Sequence, residues 1–312
     1  MRPENIVVIG GSAGALPIFK MIAGELPPDL PAAVFVVSHI PPDVPSRLPE
    51  ILNRESGPRA VAATDGAAIN SSTIYIAPPD RHLLIANGHI QLTKGPRENR
   101  ARPAIDPLFR SAAKEYGARV IAVLLSGVLD DGLAGLQEVK KHGGTVLVLD
   151  PNDSLFPQMP ENAIQYDGPD YVLRRSEIAP TIVQLIQKAE RRHQVTTATT
   201  DQGPVLKPSG YICPDCGGGL FESTDDNTKQ FRCRVGHAYS PQALAVADTE
   251  ALESKLWAAV HALEQHAEID RKVAARLETH DKTKASTLRQ ESEARMQHAK
   301  LLREVVLLEK DQ

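Results

Sequence analysis

Residues 9–15 read "IGGSAGA" and continue the apolar run "IVV" at 6–8. A short β-branched run that breaks into a glycine-rich turn is how an α/β sheet opens: buried strand, tight turn, helix. A dinucleotide-binding turn needs G-x-G-x-x-G. Counted from Gly10 its third position is Ser12, and from Gly11 it is Ala13, so the register fails. A Walker-type phosphate loop fails as well, because no Gly-Lys-Ser/Thr follows. Two readings of Ser12 remain. In one it caps the following helix by accepting a backbone N–H. In the other, Gly10-Gly11-Ser12-Ala13-Gly14 is a G-x-S-x-G nucleophile elbow, its small neighbours letting the chain turn sharply under an exposed hydroxyl. Chance matches to so short a pattern are frequent, so a nucleophile has to be judged with its base and acid.

Working outward, short apolar runs alternate with helical stretches from residue 5 to about 189. Strands are predicted at 6–10, 33–39, 119–127 and 144–150, and helices at about 14–24, 45–54, 104–116 and 132–142. Runs this apolar suit strands buried on both faces, and the alternation predicts a doubly wound, mostly parallel α/β sheet. The stretch 73–93 interrupts it with strands joined by turns, where "ANGH" (86–89) has the Asn-Gly of a hairpin turn.

His39 ends the second predicted strand, in "VFVVSHIPP", at the edge where α/β sheets place their ligands. The third apolar strand runs into "LLSGVLDDG", which brings Asp130 and Asp131 to the same edge. A lone histidine is more often a surface or packed residue, and Asp-Gly by itself makes turns and caps helices. Serine, histidine and aspartate at three strand ends together point to a triad, recognised by role and not by chain order.

Taken with "VVIGGSAGALP" and "VVSHIPP", four further stretches resemble one known family: "IYIAPPDRHL", "RPAIDPLFRSAAKEYG", "LLSGVLDDGLAGL" and "MPENAI". Residues 5–189 are similar to the catalytic domain of CheB-type protein-glutamate methylesterases of bacterial chemotaxis. The resemblance implies Ser12 as nucleophile, His39 as general base and Asp131 as triad acid, with no cofactor for catalysis. It implies hydrolysis of glutamate γ-methyl esters, and deamidation of some glutamines, on methyl-accepting chemoreceptor-type proteins. Two departures stand out. The family pattern Thr-Gly-Met-Gly-x-Asp-Gly is here Ser126-Gly127-Val128-Leu129-Asp130-Asp131-Gly132, so Val128 and Leu129 replace Met and Gly. That keeps open a second expectation, a catalytically weakened methylesterase fold serving as a binding or scaffold module in a sensory complex. The first strand also starts at about residue 6, so the likeness is to a stand-alone form without a receiver domain, and control by phosphorylation within this chain is not expected.

The chain has 312 residues, 42% of them hydrophobic and 24% charged, with a formal charge of -4. That balance gives no support to nucleic-acid binding through bulk charge. No apolar stretch approaches the roughly 20 residues of a membrane span and no signal peptide is evident, so a cytoplasmic location is expected. The domains are expected at 1–190 (catalytic), 191–209 (a Thr-, Pro- and Gly-containing linker), 210–240 (a zinc-ribbon-like segment) and 241–312 (a helical tail). All three cysteines lie in the third of these. Cys213 and Cys216 form C-x₂-C, and Cys233 and His237 form C-x₃-H sixteen residues on. Two such pairs suit a closed tetrahedral Zn²⁺ site of structural kind. Only Lys229, Arg232 and Arg234 make the segment basic, which ranks nucleic acid low. In the tail, Leu252, Leu256, Val260 and Leu263 share a helix face with Trp257 nearby. "ETHDKTKAS" (278–286) then divides one long helix or separates two. Docking to a sensory complex or self-association is the expected use of the tail.

Overall fold

The computed structural model describes residues 3–190, 206–225 and 228–308. They form two compact units, Met1–Leu244 and Ala245–Gln312. In the first, strands β1 (Asn5–Gly11), β2 (Ala32–Ser38), β3 (Arg59–Ala62) and β4 (Thr73–Ile76) come first in the chain. A separate two-stranded hairpin follows, β5 (His82–Ala86) with β6 (His89–Thr93), and then β7 (Val120–Leu124), β8 (Thr145–Leu149) and β9 (Tyr171–Leu173). The main sheet has seven strands in the order β3-β4-β2-β1-β7-β8-β9, every pair parallel. The chain winds outward from β1 in one direction and then, through β7, in the other. Such a reversal leaves a crevice at the carboxyl ends of the central strands.

Helices cover both faces because alternate residues of each strand are apolar on both sides. Ile6 and Val8 join one buried cluster with Ile105, Leu108, Phe109 and Ala112 of α3 (Ile105–Tyr116). Val7 and Ile9 join the other, with Ile18, Phe19 and Ile22 of α1 (Leu16–Glu25) and Ile178, Ile182 and Ile186 of α6 (Arg175–Glu190). Burying each such side chain contributes about 1.5–3 kcal/mol, and a one-residue slip would move every one to the wrong face. Completing the unit are α2 (Leu48–Leu52), α4 (Leu133–Lys141) and α5 (Gln158–Asp167). The predicted helix over 45–54 is only α2, because the Asn53 amide leaves it to pair with both N–H and C=O of Ala60. In the hairpin turn Asn87 and Gly88 take φ of 52° and 72°, the double positive φ that favours Asn-Gly.

The predicted linker falls mostly on 191–205, outside the described residues. From Leu206 an antiparallel sheet follows, β10 (Leu206–Ile212), β11 (Gly219–Asp225), β12 (Thr228–Cys233) and β13 (Ala238–Tyr239), paired in that order. Helix α7 (Pro241–Leu277) starts in this unit and provides, with α8 (Lys282–Leu308), the second one. There the two helices form an antiparallel hairpin. Val260, Ala267 and Ala274 on one and Ala285, Ser292, Ala299 and Val306 on the other are buried at a strict seven-residue spacing. Of the apolar face expected in the tail, Val260 is on this seam, whereas Leu252 is 47% exposed.

Candidate active site and metal centre

Ser12 is the first residue beyond β1. Helix α1 begins only at Leu16, with Ala15 at its cap position and no side-chain cap, so the serine hydroxyl is not spent on capping. The turn is tied to the loop after β7: the Ser12 N–H donates to Ser126 O (2.9 Å) and Ser126 Oγ donates to Ala13 O (2.7 Å). Gly14 has φ of 76°, and a β-carbon there would come within 2.8 Å of Ser126 Oγ. One on Gly127 would lie 2.3 Å from Met159 Cε and 3.1 Å from Ser12 Cβ. The small residues of "GGSAG" and "SG" therefore let two strand ends close on each other around the serine.

His39 follows β2 directly, and its Nε2 lies 2.7 Å from Asp131 Oδ2. β1 pairs with β2 on one side and β7 on the other, so Ser12, His39 and Asp131 follow three adjacent strands. Of the two neighbouring acids it is Asp131 that meets the histidine; Asp130 accepts from Ser240 Oγ at 2.5 Å instead. The Asp131 side chain is 2% exposed. Burial alone would raise its pKa, but the His39 contact, the Ile105 N–H (2.7 Å) and the Asn99 amide (2.9 Å) together hold it below the usual carboxylate range. Burial pushes Asp130 up to about 6.

Sequence reasoning passed over the groups that brace this acid. Asn99, in the loop before α3, donates from Nδ2 to Asp131 Oδ1 and to Asp106 Oδ2 (2.8 Å). Asp106 also accepts from the Gly135 N–H (2.7 Å), and burial followed by repulsion from Asp131 pushes it up to about 7. Nothing in "RENRARPAID" singles these residues out, because their role exists only once the loop folds back over β7.

Leu129 stands where the family pattern has glycine and keeps a glycine's backbone, φ 63°. A branched residue there is strained by about 1–2 kcal/mol. The conformation is clamped from both ends: the Leu129 N–H donates to Gln158 Oε1 (3.0 Å), and its C=O accepts from Asn162 Nδ2 (2.8 Å). Leu129 also borders a cleft of about 370 Å³ whose walls include His39, Pro41, Arg97 and Asn99, with Ser12 outside them.

In the second sheet, the ligand atoms of Cys213, Cys216, Cys233 and His237 all lie within 4.8 Å of one another. Cys216 Sγ is 3.7 Å from Cys233 Sγ, and His237 Nδ1 is 3.7 and 3.5 Å from the sulfurs of Cys213 and Cys233. Ligands at about 2.3 Å around one tetrahedral ion stand about 3.8 Å apart, so the set fits a zinc-sized ion. The Asp215 carboxylate lies 3.9 Å from His237 Nε2, on the ring's other nitrogen.

Residues 7–182 match the family model for CheB methylesterase. A protein named protein-glutamate methylesterase/protein-glutamine glutaminase 2 from Methanosarcina mazei is 35% identical over 192 residues, 59% of this chain and 52% of that one. One named protein-glutamate methylesterase/protein-glutamine glutaminase 1 from Paramagnetospirillum magneticum is 36% identical over 189 residues, 59% of this chain and 50% of that one. The chain thus spans about half the length of these curated relatives. The crystal structure of the Thermotoga maritima CheB methylesterase catalytic domain matches with a TM-score of 0.56 and 36% identity, covering 58% of this chain and 98% of that domain. The matched residues hold the Ser12 turn, His39 and Asp131 on the sheet described above, and the chain belongs to the CheB methylesterase family.

Proposed function

We propose that the protein is a serine hydrolase that demethylates glutamate γ-methyl esters on methyl-accepting chemoreceptor-type proteins, with glutamine deamidation as a second use of the same site. The observation that carries this reading is the 2.7 Å contact of His39 with a buried, ionised Asp131, one strand away from the Ser12 turn. Asp131 accepts from the histidine at Nε2, which leaves Nδ1 as the basic nitrogen. Ser12 Oγ attacks the ester carbonyl while its proton passes to Nδ1. The tetrahedral intermediate then expels methoxide, which takes that proton and leaves as methanol. Water repeats the sequence on the acyl-serine, releasing glutamate and restoring Ser12. From a glutamine side chain the leaving group is ammonia.

The developing oxyanion needs donors that are not already engaged. The N–H groups of Ser12 and Gly127 are committed to Ser126 O and Phe156 O. The N–H groups of the next residues, Ala13 and Val128, have no partner among the described residues, and these two are the donors in this reading. A backbone donor does not depend on the side chain, so valine in place of methionine is compatible with the chemistry. The clamped, glycine-like Leu129 likewise favours an active enzyme over a scaffold.

The second part of the reading is a structural Zn²⁺ held by Cys213, Cys216, Cys233 and His237. Four protein ligands leave no open position for substrate, so the ion would stabilise the small sheet. Among the described residues no helix is long and apolar enough to cross a membrane, and the place of work in this reading is the cytoplasm. Incubation with a methylated receptor should release methanol, and Ser12→Ala should lower the rate by about 10⁴-fold or more. Equal release by Ser12→Ala would sink the esterase reading. Native mass spectrometry should find one zinc per chain, lost in Cys213→Ser.

A further inference from the structure

The second sheet ends on the shell of the triad acid. Ala238, immediately after the ligand His237, accepts the Asn99 N–H at 2.9 Å, and its own N–H reaches Arg97 O at 3.5 Å. The Ser240 N–H donates to Asn99 Oδ1 (3.1 Å), and Ser240 Oγ donates to Asp130 while accepting the Ala243 N–H (3.0 Å) at the start of α7. Arg232 of β12 approaches Glu98 at 3.6 Å, the carboxylate that Arg110 binds at 2.6 Å. Gly236, with φ of 107°, packs closely on Pro96, whose Cγ would lie 3.1 Å from a β-carbon there. All of these residues belong to one compact unit.

The Asn99 amide is the hinge of this arrangement. An amide has one acceptor end and one donor end. The Ser240 N–H occupies the acceptor end, which turns the NH₂ toward the carboxylates of Asp131 and Asp106. Without the Ser240 N–H the Asn99 oxygen would be buried and unsatisfied, which would draw the amide away from the place where its NH₂ meets both carboxylates. Asn99 and Ser240 are each under one-tenth exposed, so water is a poor substitute for either contact.

Resting on the esterase reading above, we propose that Asn99 is a positioning residue for Asp131, and that the metal-bound Cys213/Cys216/Cys233/His237 sheet holds it in place through Ala238 and Ser240. The cysteine sheet is then a working part of the hydrolase: losing its ion frees the 237–240 segment, loosens Asn99 and slows the chemical step. Asn99 acts through Asp131, so the effect falls mainly on kcat.

The test uses the full chain and a glutamate γ-methyl ester peptide. Asn99→Ala should lower kcat about 10- to 100-fold with KM within about twofold. Stripping zinc with a chelator, or replacing the exposed Cys216 by serine, should lower kcat in the wild type and add nothing in the Asn99→Ala background, since both act through one contact. Zn²⁺ added back should restore the stripped wild type. By hydrogen exchange, the Asn99 amide should lose protection on stripping while the amides of β1 and β2 keep theirs. An unchanged kcat in Asn99→Ala, additive losses in the double variant, or an Asn99 amide still protected without zinc would each overturn the proposal. Should the wild type release no methanol, the esterase reading falls by itself, and the exchange measurement still decides whether the cysteine sheet holds Asn99.

Discussion

Asp106 and Asp131 accept from the same Asn99 NH₂, at 2.8 and 2.9 Å, yet the two carboxyls are displaced in opposite directions. Asp131 has His39 beside it and stays ionised; Asp106 is buried against that charge and is pushed up to about 7. One site thus holds two acids in different states, which is how neighbouring carboxyls are given different work. The state of Asp131 follows from its contact with His39 and its backbone and amide donors, whereas that of Asp106 is the electrostatic consequence of burying a second carboxyl nearby.

The first prediction follows from that pair. Unfolded, Asp106 sheds its proton near 3.8; folded, it keeps it up to about 7. Between those values the folded state binds one proton more, so its stability falls as pH rises through the window and levels off above it. Asp131 has the opposite sign, contributing stability above the ordinary carboxylate pKa that is lost in acid. In Asp106→Asn the decline between pH 4 and 7 should become shallower, by an amount on the order of a few kcal/mol. Urea unfolding of both proteins across that range measures it, and parallel curves would refute the assignment.

Removing the charge of Asp131 should cost far more in rate than in binding. In Asp131→Asn the contact to His39 no longer selects the tautomer with its proton on Nε2, and the cation formed during attack loses its counter-charge. A fall of about 10⁴-fold in kcat is expected. Steady-state hydrolysis of a glutamate γ-methyl ester peptide checks it. A loss confined to KM would assign Asp131 to substrate binding instead.

Leu129 supplies a test of strain. Its φ of 63° costs a branched residue about 1–2 kcal/mol, and glycine takes that conformation freely. Glycine also gives up about 0.5–1 kcal/mol in chain entropy, so Leu129→Gly should be neutral to slightly stabilising despite the lost side chain. Leu129→Val, β-branched at the same φ, should be clearly less stable than either. Thermal unfolding of the three proteins gives the order, and a Leu129→Gly protein well below the wild type would show that the side chain carries packing that outweighs the strain.

The sheet was legible because its strands are apolar on both faces: 6–10, 33–39, 119–127 and 144–150 each overlap a strand of the main sheet. β3 and β9 were not, since four and three residues at the sheet margins, with exposed positions such as Arg59 and Tyr171, carry too little periodicity to register. The Ser12 turn and the ends of β2 and β7 were legible from chemistry that sequence spacing preserves. What stayed hidden was everything that depends on the chain folding back over itself. Asn99 meets Ser240 across 141 positions, and its amide oxygen gains the Ser240 N–H only in that encounter. The seam of the tail was legible only in part: Val260 of the expected face lies on it, whereas its other positions are mostly alanine and carry little apolar signal beside the larger leucines.

That alanine seam sets the last prediction. Ser292 Oγ donates to Ala267 O at 2.7 Å, a contact between backbone and a short side chain that requires the two helices to lie close together. Around it run ion pairs of Arg295 with the half-buried Asp270, and of Arg303 with Glu264 and Arg289 with Glu278 nearer the surface. Ion pairs at or near the surface contribute about 0–1 kcal/mol each, so the seam is expected to supply most of the hairpin's stability. Ala267→Leu adds three carbons at a fully buried position of this seam, and overpacking costs about 1–3 kcal/mol. A two-helix unit has little stability to lose, so the tail of Ala267→Leu should melt at lower temperature in circular dichroism at 222 nm on the full chain. Ala262→Leu, on an exposed position of the same helix, should leave that transition where it is. If both variants melt like the wild type, the helices are not held by the 260–267–274 seam, and the ion pairs must be carrying the register.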